Sequence, residues 1–114
     1  MVGRKTIEIN RGGEKINPEE IELALDSHGK IRESCCFGIE HPILGQQVAV
    51  AIVRNHNESC TEQDVIEYLT RRLRYNIVPE SIFFLETIPK SDRGKIDRSV
   101  VKNECVSSVS NVRR

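Results

Sequence analysis

The sequence predicts an α+β domain: a small sheet of about three main strands plus a short N-terminal hairpin, packed with about three helices. Three observations lead there. Segments with apolar residues at every second position alternate with segments spaced by three and four, in the order β, then α-β-β-α-β-α. One run, Gln47-Val48-Ala49-Val50-Ala51-Ile52-Val53, is apolar on both faces. No internal repeat is present, and 114 residues with 38% apolar content suit a single core with little room for a deep, self-contained substrate cavity.

In chain order, Ile7-Glu8-Ile9 alternates as a short half-buried strand, and Arg11-Gly12-Gly13 breaks it into a turn or tight hairpin. Asn17 before Pro18, with Glu20 three residues on, supplies an N-cap, a preset first helical φ and a capping-box partner. Ile21, Ala24 and Leu25 form that helix's apolar stripe, and Gly29 offers a left-handed position to close it near His28. From Ile31 the period becomes two, with Cys35, Phe37 and Ile39 on one face and turn residues at His41-Pro42 and Gly45. The doubly apolar run that follows is the expected middle strand, covered on each side. Thr61 caps a helix carrying Val65, Ile66, Leu69 and Leu73, which Asn76 and Pro79 end. Ser81 to Leu85 reads as a strand, Pro89 to Lys95 as a loop, and Asp97 as the cap of a short helix with Val100 and Val101. Residues 105–114, rich in Ser and Val, read as a disordered tail.

Seventeen basic residues balance seventeen acidic ones, so the long-range positive field that gathers nucleic acid or anionic lipid is missing. No apolar run approaches the ~20 residues that span a bilayer, and Met-Val-Gly-Arg-Lys lacks a secretory signal's apolar stretch, so a soluble, cytoplasmic protein is expected. Cys35, Cys36, Cys60 and Cys105 form no C-x-x-C pair, and adjacent Cys35 and Cys36 point to opposite faces of a strand; reduced thiols are expected. His28, His41 and His56 show no ligand spacing, so no metal site is expected.

Two loops place glycine beside charge, and function concentrates in such loops. One runs from Arg4-Lys5 to Gly12-Gly13-Glu14-Lys15. The other, Pro89 to Arg98, holds Lys90, Arg93, Lys95 and Arg98 against Asp92 and Asp97, a local cationic excess that implies an anionic ligand. The phosphate-loop pattern G-x-x-x-x-G-K-[ST] is excluded, because Pro89 stands at its first glycine and Ile96 at its hydroxyl. Composition alone makes Lys95 one solvated lysine among many; the surrounding pattern overturns that reading.

Pro89-Lys90-x-x-x-Gly94-Lys95-Ile96-x-Arg98, after Gly12-Gly13-Glu14-Lys15-Ile16-x-Pro18-x-Glu20-Ile21-Glu22, resembles the acyl-CoA synthetase and AMP-forming adenylating enzyme superfamily, in its C-terminal lid domain. Phe37-Gly38, the Pro42-to-Gly45 turn and Val78-Pro79 before Ile82-Phe83-Phe84 match as well. The resemblance implies that Lys95 is the catalytic lysine of acyl-adenylate formation, with Gly94 and Arg98 supporting its loop. It implies that Arg4 contacts the nucleotide ribose, that Lys5 is the hinge, and that Gly12, Gly13 and Glu14 line the thiol tunnel for thioester formation. An ordinary hairpin turn explains the two glycines equally well.

On the same resemblance, residues 1–6 are the hinge and the end of an N-terminal domain, and residues 7–104 are the lid. ATP and Mg2+ are expected to be held mainly by that N-terminal adenylation domain, with coenzyme A or a carrier-protein pantetheine as acceptor of the acid. None of the larger domain's motifs is in this sequence. The chain therefore reads as a piece cut near the hinge, which Gly3-Arg4 at its start favours, or as a separately encoded lid, inactive alone. Gln46 and Ser99 depart from the pattern, standing where a glutamate and a second basic residue are frequent. Residues 9–16 look more like small-acid and aryl-acid ligases than peptide-synthetase modules, although the acid itself is not readable here. A rival reading is a stand-alone binding module that docks a carrier protein or partner subunit through Arg71-Arg72-Leu73-Arg74. An RNA-binding domain is disfavoured by sparse aromatics and zero net charge.

Overall fold

The computed structural model describes residues 8–56, 58–73 and 77–112, with side chains in the last helix described as far as Val106. Its elements are β1 (Ile9–Arg11), β2 (Glu14–Ile16), α1 (Pro18–Asp26), β3 (Ile31–His41), β4 (Gly45–Arg54), α2 (Glu62–Arg72), β5 (Ser81–Phe84) and α3 (Arg98–Val112). They form the expected α+β architecture, a five-stranded sheet with helices on both faces.

β4 is the centre of the sheet, as its doubly apolar composition requires. It pairs antiparallel with β3 along its whole length, from Ile31↔Arg54 to His41↔Gly45. Its other edge is shared. Arg11 of β1 pairs with Gly45, and β5 runs parallel along Ala49 to Ile52. The alternation of β4 then builds two cores. Val48, Val50 and Ile52 face Ile21 and Leu25 of α1 and Val65 and Leu69 of α2. Ala49, Ala51 and Val53 face Val101 and Cys105 of α3, with Phe37 and Ile88. Cys35 and Cys36 divide between these cores as the strand period demands, and all four cysteines are free and buried.

Local chemistry accounts for most boundaries. Gly12 and Gly13 have φ of 58° and 89°, so both turn residues sit in the left-handed region that a two-residue hairpin turn demands. Asn17 caps α1 by accepting from the Glu19 amide (2.9 Å), one residue earlier than the predicted box partner Glu20. The full box forms at α2, where Thr61 and Asp64 exchange bonds of 3.0 and 3.1 Å between side chain and backbone.

Three expectations are corrected. Gly29 is not left-handed, and α1 ends at Asp26, its Ser27 and His28 amides donating to the Ala24 and Leu25 carbonyls. α2 ends at Arg72 with an extended Leu73, before Asn76, which lies outside the described residues. The stretch from 105 assigned to a disordered tail is helical as far as Val112, because Val101 and Cys105, one turn apart, are both fully buried against the sheet. Among the described residues no helix is long and apolar enough to cross a membrane, and no cluster of three or more His, Cys, Asp or Glu could hold a metal ion.

Candidate active-site loop and its opposite hairpin

The segment after β5 folds back as a tight hairpin. Lys90 and Ile96 form an antiparallel bridge, the Ser91 amide donates to the Lys95 carbonyl (2.7 Å), and the Gly94 amide donates to the Ser91 carbonyl (2.8 Å). Gly94 has φ of 81°, the left-handed residue that lets such a turn rejoin its partner strand. Ser91 Oγ lies 3.3 Å from the amides of Arg93 and Lys95, so the loop is tied internally by its own serine. Residues 91–97 are all exposed.

The four cations of this segment separate into two pairs. Lys90 Nζ lies 2.8 Å from the Glu33 carboxylate of β3. Arg98 turns inward, paired with Glu22 of α1 through both terminal nitrogens and donating to the Cys36 carbonyl at 3.0 Å. Burial alone lowers the Arg98 pKa, but the hydrogen bonds and charge of Glu22 outweigh it and hold the guanidinium above its ordinary range. Lys95 and Arg93, by contrast, point their charged ends to solvent with no side-chain partner among the described residues. The tip of the loop therefore offers two uncommitted cations on a backbone that is otherwise tied down.

The cysteine thiol nearest Arg98 is held in its inert form. Cys35 Sγ lies 4.0 Å from Arg98, yet burial pushes its thiol up to about 11, and the nearby guanidinium only partly offsets this. Two shallow cavities lie elsewhere on the surface. One, of about 280 Å³, is lined by His28, Tyr68 and Arg71; the other, of about 330 Å³, by Arg32, Arg54 and His56. Neither is lined by Lys95.

The Gly12-Gly13 turn is held differently. The Gly12 amide donates to the Leu44 carbonyl (2.7 Å), and Gln46 Oε1 accepts from the Asn10 amide (2.8 Å). Arg11 reaches Glu80, whose second oxygen takes the Val48 amide at 2.8 Å. Glu80 thereby fills the stretch of β4 edge left open between β1 and β5. β1 meets the sheet at Gly45, opposite His41, whereas Lys90 meets β3 at Glu33. Those anchor points are about eight residues apart on β3, roughly 26 Å at 3.2–3.4 Å per residue. The two glycine loops are thus tied to separate stretches of one ribbon, the Lys95 loop at Glu33 and Cys36 and the Gly12-Gly13 turn near His41. Arg4 and Lys5 lie outside the described residues, as does Arg74; Arg72 stacks over the Tyr68 ring at 3.9 Å.

Residues 20–95 match the AMP-binding enzyme C-terminal domain. The chain belongs to that family. An oxalate–CoA ligase of Saccharomyces cerevisiae is 36% identical over 111 residues, covering 97% of this chain and 20% of the relative. An Arabidopsis thaliana protein of the same name is 33% identical over 101 residues, covering 89% of this chain and 20% of its own length. Among solved structures, a fatty acyl CoA synthetase of Mycobacterium tuberculosis superposes with a TM-score of 0.82 at 29% identity, over 90% of this chain and 20% of that one. Apo MatB of Rhodopseudomonas palustris gives 0.84 at 26%, over the same 90% and 20%. The C-terminal domain thus spans about one fifth of the length of the relatives it matches. The span matched to the family ends at Lys95 and leaves Gly12, Gly13 and Glu14 outside it.

The roles of Glu22, Glu33 and Glu80 were not readable in the sequence. Each is a carboxylate paired with a cation in or beside one of the two glycine loops: Arg98, Lys90 and Arg11 respectively. The local signal for Glu22 is its place beside the buried Ile21, where a charge on a helix flank needs a partner.

Proposed function

We propose that this C-terminal domain serves an ATP-dependent, AMP-forming acid–thiol ligase, with Lys95 carried into the nucleotide pocket of an N-terminal adenylation domain. The observation that supports the reading most is the Lys95 ammonium, without a side-chain partner among the described residues, at the exposed tip of an anchored loop. When a carboxylate attacks the α-phosphate of ATP, two anions meet and charge accumulates on the phosphoryl oxygens. A fixed cation at that point stabilises the transition state more than the ground state. Lys95 acts as a positioned charge and takes no part in proton transfer. Gly94 supplies the left-handed turn that presents it, and Arg98 secures the loop's far side.

Thioester formation uses the opposite hairpin. A β-carbon at Gly12 would meet the Leu44 side chain at 3.4 Å, whereas Gly13 faces open space, so a pantetheine arm can pass close to the turn's backbone at Gly13, with Glu14 alongside. Because the two loops are tied to separate stretches of the sheet, presenting each in turn to one substrate pocket requires the domain to rotate about a hinge, for which Lys5 is the candidate, while Arg4 contacts the ribose. Mg2+ would supply charge neutralisation of the ATP phosphates, held mainly by residues of the N-terminal domain. The acceptor is coenzyme A, with a carrier-protein pantetheine as the variant that shares its thiol chemistry.

The test is to combine the chain with its matching N-terminal domain and follow acid- and ATP-dependent pyrophosphate exchange. The chain should restore exchange, and Lys95→Ala should lower it about 10²–10³-fold, the range for removing one transition-state charge contact. Full exchange in the alanine variant refutes the assignment.

A further inference from the structure

We propose that Glu22 and Arg98 form a clamp on the free edge of β3 that positions Lys95, an inference that rests on the role just given to that lysine. Residues 91–97 are all exposed, and a β-carbon built at Gly94 meets no atom within 4 Å. Apart from the loop's own turn bonds, the segment is tied by the Lys90–Glu33 pair at one end and, at the other, by Asp97, which caps α3 by accepting from the Ser99 and Val101 amides, beside Arg98. The loop's aim is therefore decided at its two ends.

The ends are unequal. Lys90–Glu33 is a single contact between side chains 36% and 29% exposed, the kind of pair that solvent and rotamer freedom leave loose. Arg98–Glu22 is more sheltered, at 19% and 20%, and both partners also grip the same residue of β3. Glu22 accepts the Cys36 amide at 2.7 Å, and Arg98 donates to the Cys36 carbonyl at 3.0 Å. Among the described residues β3 pairs only with β4, so the outward N–H and C=O of Cys36 have no neighbouring strand there. A carboxylate from one face of the sheet and a guanidinium from the other take that strand's place and bond each other around the edge. Charge-assisted bonds of this kind, one of them bidentate, hold geometry tightly. Arg98 lies three residues after Lys95 and opens α3, so its position is passed directly to the loop.

The polarity of Cys36 makes the arrangement directional. The amide needs an acceptor and the carbonyl a donor, so exchanging the two side chains would preserve an ion pair but set each charge against the wrong backbone group.

The test is backbone ¹⁵N relaxation of the 114-residue chain, reading Gly94 and Lys95 against Val50 and Leu69 as core controls. Glu22→Gln and Arg98→Gln should each lower the order parameters of Gly94 and Lys95 from about 0.85 to below about 0.6, with the core controls unmoved. Arg98→Lys should fall between, and the exchanged pair Glu22→Arg/Arg98→Glu should not restore the loop. Unchanged loop order in both glutamine variants overturns the clamp, as does full restoration by the exchanged pair. If Arg98→Gln does not fold, Glu22→Gln and Arg98→Lys decide the matter by the same criterion. The readout is independent of the Lys95 side chain: full pyrophosphate exchange in Lys95→Ala would end the functional reading and leave the loop measurement standing.

Discussion

Replacing Gly94 tests how much the presentation of Lys95 depends on one backbone angle. At φ of 81° with open space around the missing β-carbon, alanine adds no clash, so its whole cost is the left-handed backbone, about 1–2 kcal/mol. Against that stand two turn hydrogen bonds, Gly94 to Ser91 and Ser91 to Lys95, at 2.8 and 2.7 Å, each worth about 0.5–1.5 kcal/mol net. The two terms are of similar size, so Gly94→Ala should reduce the ratio of formed to unformed loop by about 5–30-fold without unfolding the domain. Asparagine tolerates the left-handed region better than alanine, and valine worse, giving the order Gly, Asn, Ala, Val. Amide exchange at Ser91 and Gly94 should follow that order, and pyrophosphate exchange in the assembled enzyme should fall in step. Gly13, at φ of 89° and equally open, is the internal control: Gly13→Ala carries the same strain but should spare the Lys95 loop. If Gly94→Val presents the loop as well as glycine does, the reasoning from φ is wrong.

Two further outcomes are expected. Gln46→Ala should lower stability by about 0.5–1.5 kcal/mol and speed exchange of the Asn10 amide, whereas Gln46→Glu keeps the acceptor and should change little; an Asn10 amide still protected in the alanine variant would count against this. Burial raises the Cys35 and Cys105 thiols from the ordinary 9.0 to about 11, so the stability they contribute is fully present below pH 9 and is lost as pH rises from there towards 11. Denaturant midpoints between pH 8 and 11 should show that decline, and Cys35→Ala/Cys105→Ala should make it shallower, the remainder coming from Cys36 and Cys60, whose thiols burial also raises.

The parts of the fold that periodicity reports were legible. Gln47 to Val53 could only be central because both its faces are apolar, and Gly12-Gly13 could only turn. The last helix was understated because Ser and Val favour helices weakly, while the burial of Val101 and Cys105 comes from packing that local propensity does not contain. Gly29 was over-read: glycine permits a left-handed cap but does not enforce one, and Ser27 ended the helix without it. At the site, the motif located Lys95 as an exposed cation, yet Arg98, part of the same motif, serves the domain's own frame. No window of sequence could show this, because its partner Glu22 is 76 residues away. Arg4 and Lys5 rest on resemblance alone.

The way Cys36 is covered also bears on solubility. A naked border strand invites a second molecule to add its own strand and begin a chain of associations. Here two oppositely charged side chains occupy the middle of that border, so a newcomer would have to break an ion pair before its backbone could bond. Helix α3 begins at one of those two side chains, and shortening the protein to a point before it would turn a capped border into a template for aggregation.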